Sequence, residues 1–211
     1  LKKVLYITAN PKPIQQSLSL QIGKAFIEEY QHNHPKDEIT RIDVFHHDIP
    51  LVDEEILEYM DKTKQGWIMD QFSPPIQNKM RRFNRLTEQF IDTDLYVFVF
   101  PMWNFGIPPL LKAYVDTFKV ARKTFQYTPN GPIGLLNNKQ AVLIQSRGDQ
   151  YSSGINIEYD HSVRYLQSVL SFIGVEQIET IIAEGTNLGS VDHDGLKQEA
   201  LQQAIQIARS L

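Results

Sequence analysis

Leu95-Tyr96-Val97-Phe98-Val99-Phe100-Pro101 is the stretch on which the fold turns. Six apolar residues in a row, mostly aromatic or β-branched and with no polar residue to mark a wet face, predict a strand buried on both sides. Pro101 ends it, since proline offers no N–H to a ladder. Strands covered on both faces belong to parallel sheets whose crossovers are helices, so helical pattern is expected on either side. Upstream, Val4-Leu5-Tyr6-Ile7 is a second buried run that stops at Asn10-Pro11. Leu18, Ile22, Phe26 and Tyr30 then recur at steps of four behind Ser17, a suitable N-cap. Residues 38 to 45 alternate as a strand, and 53 to about 69 are weakly helical. Pro74-Pro75 separates that segment from another helix near 77 to 92.

Downstream, a helix is expected from about 109 to 119, with proline tolerated in its first turn. Residues 120 to 138 carry Pro129-Asn130-Gly131-Pro132 and predict an excursion out of the core. A buried strand over 141 to 145 and a helix from about 159 to 173 follow. Then come a strand over 177 to 183 and a helix with Leu196, Ala200, Ala204, Ala208 and Leu211 on one stripe. Five strands alternating with helices predict an α/β fold, a doubly wound five-stranded parallel sheet with helices on both faces. No Gly/Ser-rich or Pro-rich linker divides the chain, so residues 1–211 are expected to form a single domain.

Composition narrows the chemistry. The chain has 211 residues, 42% of them hydrophobic, enough for one sizeable core. A net charge of −4 supplies no general field for nucleic acid or an anionic membrane, which leaves small molecules as the expected partners. With no cysteine there is no disulfide, thiolate metal site or Cys nucleophile, so any redox work requires a bound cofactor. The apolar runs are strand-sized and 1 to 8 lack a signal-peptide pattern; a cytoplasmic protein without a membrane span is the expectation.

Ligands of such sheets bind beyond the carboxyl ends of the strands, where strand order reverses. Three loops there stand out. Residues 8 to 19 lead into a helix opening with Ser17, Leu18 and Ser19, where free N–H groups and hydroxyls suit a phosphate; Ser17 serves equally as a plain cap. Residues 101 to 108 hold Met102, Trp103, Asn104, Phe105 and Gly106 between prolines, a stiff apolar wall for a flat ring or simply core packing. The third loop, Ser146, Arg147, Gly148, Asp149 and on to Gly154, is polar directly after a buried strand, as a binding loop or a surface turn would be. Neither a G-x-G-x-x-G nor a Walker-type loop is present.

In these residues the chain resembles the FMN-dependent NADH-azoreductases, also described as NADH:quinone oxidoreductases of the flavodoxin-like fold. The resemblance is carried by 101 to 105, by Phe125-Gln126-Tyr127-Thr128-Pro129-Asn130-Gly131-Pro132, by Ser146-Arg147-Gly148 and by Phe172-Ile173-Gly174. It implies non-covalent FMN, its phosphate on Ser17, Leu18 and Ser19 and its ring between Met102 to Phe105 and Ser146 to Asp149. It also implies NADH or NADPH as donor, quinones and azo compounds as oxidants, and a ping-pong cycle. A homodimer is implied as well, in which the 120 to 138 excursion overhangs the active site and Phe125, Tyr127 and Phe172 line the substrate position. Asn10 stands where many members have Ser, and Asp149 where many have Gly; a carboxylate there opposes an anionic reduced flavin unless it points away.

The alternatives are a flavodoxin-type electron carrier or redox sensor without turnover and, among enzymes, a nitroreductase or flavin reductase. No metal site is expected from His46-His47-Asp48 or from His32 and His34, which lack a recognised ligand spacing. Lys79, Arg81, Arg82 and Arg85 predict a solvated basic helix face.

Overall fold

A computed structural model describes residues 1–211. The chain runs β1 (Lys3–Thr8), α1 (Leu18–Asn33), β2 (Glu38–Asp43), α2 (Glu54–Lys64), α3 (Pro74–Ile91), β3 (Leu95–Pro101) and α4 (Pro109–Phe118). It continues through β4 (Phe125–Thr128), β5 (Gly131–Gly134), β6 (Gln140–Arg147), α5 (Val163–Phe172), β7 (Gln177–Glu184) and α6 (His193–Ser210). Five strands form one sheet in the order β2-β1-β3-β6-β7, every pair parallel. The chain steps outward from β1 to β2 and then returns to the other side of β1 for β3, so strand order reverses between β1 and β3. That reversal opens the crevice in which ligands of this architecture sit.

β3 is buried at every residue, and its alternation sorts side chains by size. Tyr96, Phe98 and Phe100 join the larger core under α3, α4 and α5, while Leu95, Val97 and Val99 join the core beneath α1 and α6. On the second face the helices come close: a Cβ at Gly23 would lie 2.7 Å from Val99 and 2.8 Å from the Tyr6 hydroxyl. Ala200, Ala204 and Ala208 serve the same close approach in α6.

Two local expectations change. The second of the two helices starts at Pro74 rather than near 77, so Pro74 and Pro75 occupy the first turn of α3, where the missing N–H groups have no intrahelical partner to lose. α2 ends at Lys64, and the helix expected from 159 starts at Val163, behind a short 3-10 turn over Gly154–Tyr159. The excursion is an antiparallel hairpin, β4 against β5. α4 carries the chain back from the carboxyl edge of the sheet for ten residues, about 15 Å, before the hairpin begins. Phe125 then packs 4.9 Å from Phe172, the last residue of α5, and the Leu136 N–H bonds the Ile173 carbonyl at 2.9 Å. A Cβ on Gly134 would lie 2.2 Å from the Gly174 nitrogen, so hairpin and α5 end meet backbone to backbone. The hairpin thus lies at the amino ends of the strands and overhangs nothing at the carboxyl end of its own sheet. No helix is long and apolar enough to cross a membrane.

Candidate functional site

Ser17 caps α1, accepting the Leu20 N–H at 3.3 Å. Its Oγ also accepts from Asn10 Nδ2 at 2.8 Å and lies 3.2 Å from Ser19 Oγ. Two donors leave the Ser17 O–H free only to donate, so Asn10 orients that hydroxyl. Asn10, Ser17 and Ser19 are buried and Leu18 is half-buried. The N–H groups of Leu18 and Ser19 head the helix without intrahelical acceptors. Hydroxyls and amides of this kind, at the positive end of a sixteen-residue helix, receive an anion.

After β3, Trp103 and Gly106 exchange both backbone hydrogen bonds, at 3.0 and 2.9 Å, around Asn104 and Phe105. Both residues have positive φ, 47° and 68°, as in the primed turns that close two-residue hairpins. Asn tolerates this region; for Phe it costs roughly 1–2 kcal/mol and must be held from outside. The hold comes from the third loop: the His161 N–H bonds the Phe105 carbonyl at 3.0 Å, and Tyr159 stacks on the Phe105 ring at 5.2 Å. Trp103 and Phe105 still expose about a third or more of their surface, 36% and 45%. Met102 N–H bonds the Ser146 carbonyl at 2.9 Å and ties the second loop to the third.

Arg147 turns away from the crevice. Its guanidinium is fully buried and meets Glu184 at 2.7 Å, Asp160 at 2.8 Å and the Ser152 hydroxyl at 2.5 Å. Glu184 also accepts the Tyr151 and Ser152 N–H groups, and Asp160 those of Ser162 and Val163. Burial by itself raises the Asp160 carboxyl; the Arg147 and Ser162 hydrogen bonds outweigh it and hold the group below the usual carboxylate range. Glu184 behaves likewise, burial being offset by the Tyr151 N–H and Arg147. Any contribution of Arg147 to a ligand is therefore through its backbone.

Between the second and third loops lies a cavity of about 450 Å³ lined by Met102, Asn104, Phe105, Gly148, Asp149 and Tyr151. Asn187 and Leu188, from the loop after β7, close it. These two and Tyr151 were not among the expected site residues; β7 adjoins β6 only through tertiary pairing. A Cβ at Gly148 would fall 2.4 Å from the Asn187 side chain, so the glycine admits that loop. Trp103, which packs against Phe45 at 5.9 Å, and the half-buried Ser146 are not among the residues that line it. Phe125, Tyr127 and Phe172 lie at the opposite end of the sheet and do not join this cavity within one chain.

A larger hollow, about 680 Å³, sits among charged groups such as Lys3, Arg85 and Asp92 near the amino ends of β1 and β2, away from all three loops. His46 and His47 serve a turn, each bonding Asp43 through Nδ1, at 2.8 and 3.0 Å. In the basic cluster of α3, Lys79 pairs with Asp53 and Glu55, and Arg82 with Asp48 at 2.6 Å.

A family model described as the flavodoxin-like fold matches residues 2–208. The FMN-dependent NADH:quinone oxidoreductase of Staphylococcus haemolyticus is 40% identical over 210 residues, covering 100% of both chains. That of Bacillus pumilus is 42% identical over 97% of each. Among solved structures, the azoreductase of Bacillus anthracis str. Sterne superposes with a TM-score of 0.93 at 31% identity over the whole of both chains. An FMN-dependent NADH-azoreductase of Bacillus anthracis str. Ames Ancestor, solved in complex with FMN, superposes at 0.94 with 29% identity, covering 100% of this chain and 99% of its own.

Proposed function

The chain belongs to the FMN-dependent NADH:quinone oxidoreductases of the flavodoxin-like fold, and on that footing we propose that it passes electrons from NADH to quinones and azo compounds through non-covalently bound FMN. The observation that carries the assignment is the placing of an anion-receptive helix start and a cavity of about 450 Å³ on loops at one end of the sheet. The whole chain acts as one FMN-binding unit. The N–H groups of Leu18 and Ser19 and the hydroxyls of Ser17 and Ser19 hold the phosphate. Met102, Trp103, Asn104 and Phe105 line one side of the ring, and the backbone of Ser146, Arg147, Gly148 and Asp149 the other. When bound, FMN supplies the chemistry itself, accepting a hydride equivalent and handing on two electrons.

The protein's part is then orientation in a stiff site. The Asn104–Phe105 turn is held by the His161 N–H and the Tyr159 ring, and no side chain need act as a nucleophile. Donor and oxidant use the same exposed face in turn, a ping-pong cycle. A quinone is reduced in one such cycle, whereas cleaving an azo bond to two amines takes two. A cytoplasmic location follows from the need for NADH. The protein purified as expressed is expected to be yellow and to oxidise NADH when a benzoquinone is supplied. Tight flavin without turnover would instead make it an electron carrier, and a colourless protein that takes up no FMN at micromolar concentration would remove the assignment.

The hairpin is the argument for a homodimer. Tyr127 is 74% exposed and Ile133 45% exposed, beside the Phe125–Phe172 pair, at the end of the sheet where this chain has no site. A second copy brings that apolar surface over the half-exposed Trp103 and Phe105, so Tyr127 and Phe172 wall the substrate position of the partner, and Phe125, only 5% exposed, backs them from the core. Sedimentation is expected to give about twice 24.4 kDa. Tyr127→Asp is expected to shift the mass toward one chain and lower quinone turnover together; a monomer with full turnover would separate the two.

A further inference from the structure

We propose that Asp149 sets the redox poise of the site, making its bound flavin a stronger reductant than a neutral residue at that position would; the inference rests on the FMN-binding assignment above. Asp149 is the one charged residue among those lining the cavity. No lysine, arginine or histidine pairs with it. Its carboxylate accepts only neutral donors, the Gln150 N–H at 2.7 Å and Asn156 Nδ2 at 3.3 Å.

The backbone of Asp149 is held at the rim of the cavity. The carbonyls of Arg147, Gly148 and Asp149 accept the N–H groups of Thr186, Asn187 and Gly185 at 3.2, 2.9 and 3.2 Å. Three successive residues of the β6 loop are thus laced to the loop after β7. Nor does Arg147 neutralise the charge, because Asp160 and Glu184 already outnumber it. The Arg147 cluster is thus net negative before Asp149 is counted.

Taking a hydride from NADH releases NAD⁺ and leaves one negative charge on the ring system. A carboxylate on a residue that lines the cavity, with no cation paired to it, opposes that charge. The oxidised form is consequently held in preference to the reduced one. The consequence for specificity is a site that accepts a hydride less readily from its donor but gives electrons more readily to poor oxidants, the azo class above the quinones.

The test is an anaerobic dye-equilibration measurement of the midpoint potential on the FMN-loaded protein, with Asp149→Asn and Asp149→Glu beside the parent. The Asn variant keeps the shape and an oxygen acceptor but removes the charge. It is expected to raise the preference for reduced over oxidised FMN roughly tenfold, a rise of about 30 mV for a two-electron couple. Asp149→Glu keeps the charge and is expected to stay near the parent. An unchanged potential in Asp149→Asn, or equal shifts in both variants, overturns the proposal while leaving FMN binding intact. A parent protein that binds no FMN overturns both.

Discussion

Arg147→Met is expected to lower the thermal midpoint by about 10 °C, from a stability loss of about 3–5 kcal/mol. The guanidinium is fully buried, with Asp160 8% and Glu184 22% exposed around it, so its removal strands two carboxylates that water reaches poorly. Methionine fills much of the volume without replacing any of the donors. The loss carries a pH signature. In the native protein both carboxyls are depressed, so their contribution is present above the ordinary carboxylate range and fades as pH falls through the lower, folded values. In the variant the cation is gone and burial raises both groups, so protonation relieves the folded state as pH falls. The gap between the two proteins should therefore be widest near neutrality and narrow toward about pH 4. Calorimetric scans across that range check it; a shift under about 2 °C, as a surface pair would give, would falsify the account. The damage should also reach the site, because the segment that Arg147 pins supplies the His161 N–H holding Phe105 in its left-handed turn.

The second large effect concerns the phosphate. In a Ser17→Ala/Ser19→Ala protein two hydroxyl donors to a dianion disappear, each worth about 1.5–3 kcal/mol, so FMN affinity is expected to fall at least about 100-fold. Loss of the α1 cap adds a stability cost of about 1 kcal/mol, small enough to leave the protein folded. Riboflavin separates the two roles, since it carries the same ring without the phosphate. Its affinity should hardly change in fluorescence titration. If riboflavin and FMN weaken alike, the serines shape the loop and do not meet the phosphate.

Much of this molecule was legible along the chain. Unbroken apolar runs at 4 to 7 and 95 to 100 announced strands covered on both faces, and Ser17 announced the helix behind it. The Pro74-Pro75 pair misled about where α3 starts because proline both breaks a helix and starts one, and only the flanking turn decides which. The loops of the candidate site were identifiable because they follow strands directly. Their composition did not reveal which side chains face the crevice.

Sequence periodicity and the order of strands and helices, which depend on neighbours within a few residues, were sufficient for the layered parallel sheet and for the end at which a ligand belongs. Contacts between distant segments were not. Arg147 meets Glu184 because β6 and β7 pair in that register, and Asp160 because the intervening loop folds back over it. Phe125 and Tyr127 lie at the far end of the sheet because α4 spans its height before the hairpin starts. Burial of a charge and the destination of a loop are set by what packs against them, and those partners lie tens of residues away along the chain.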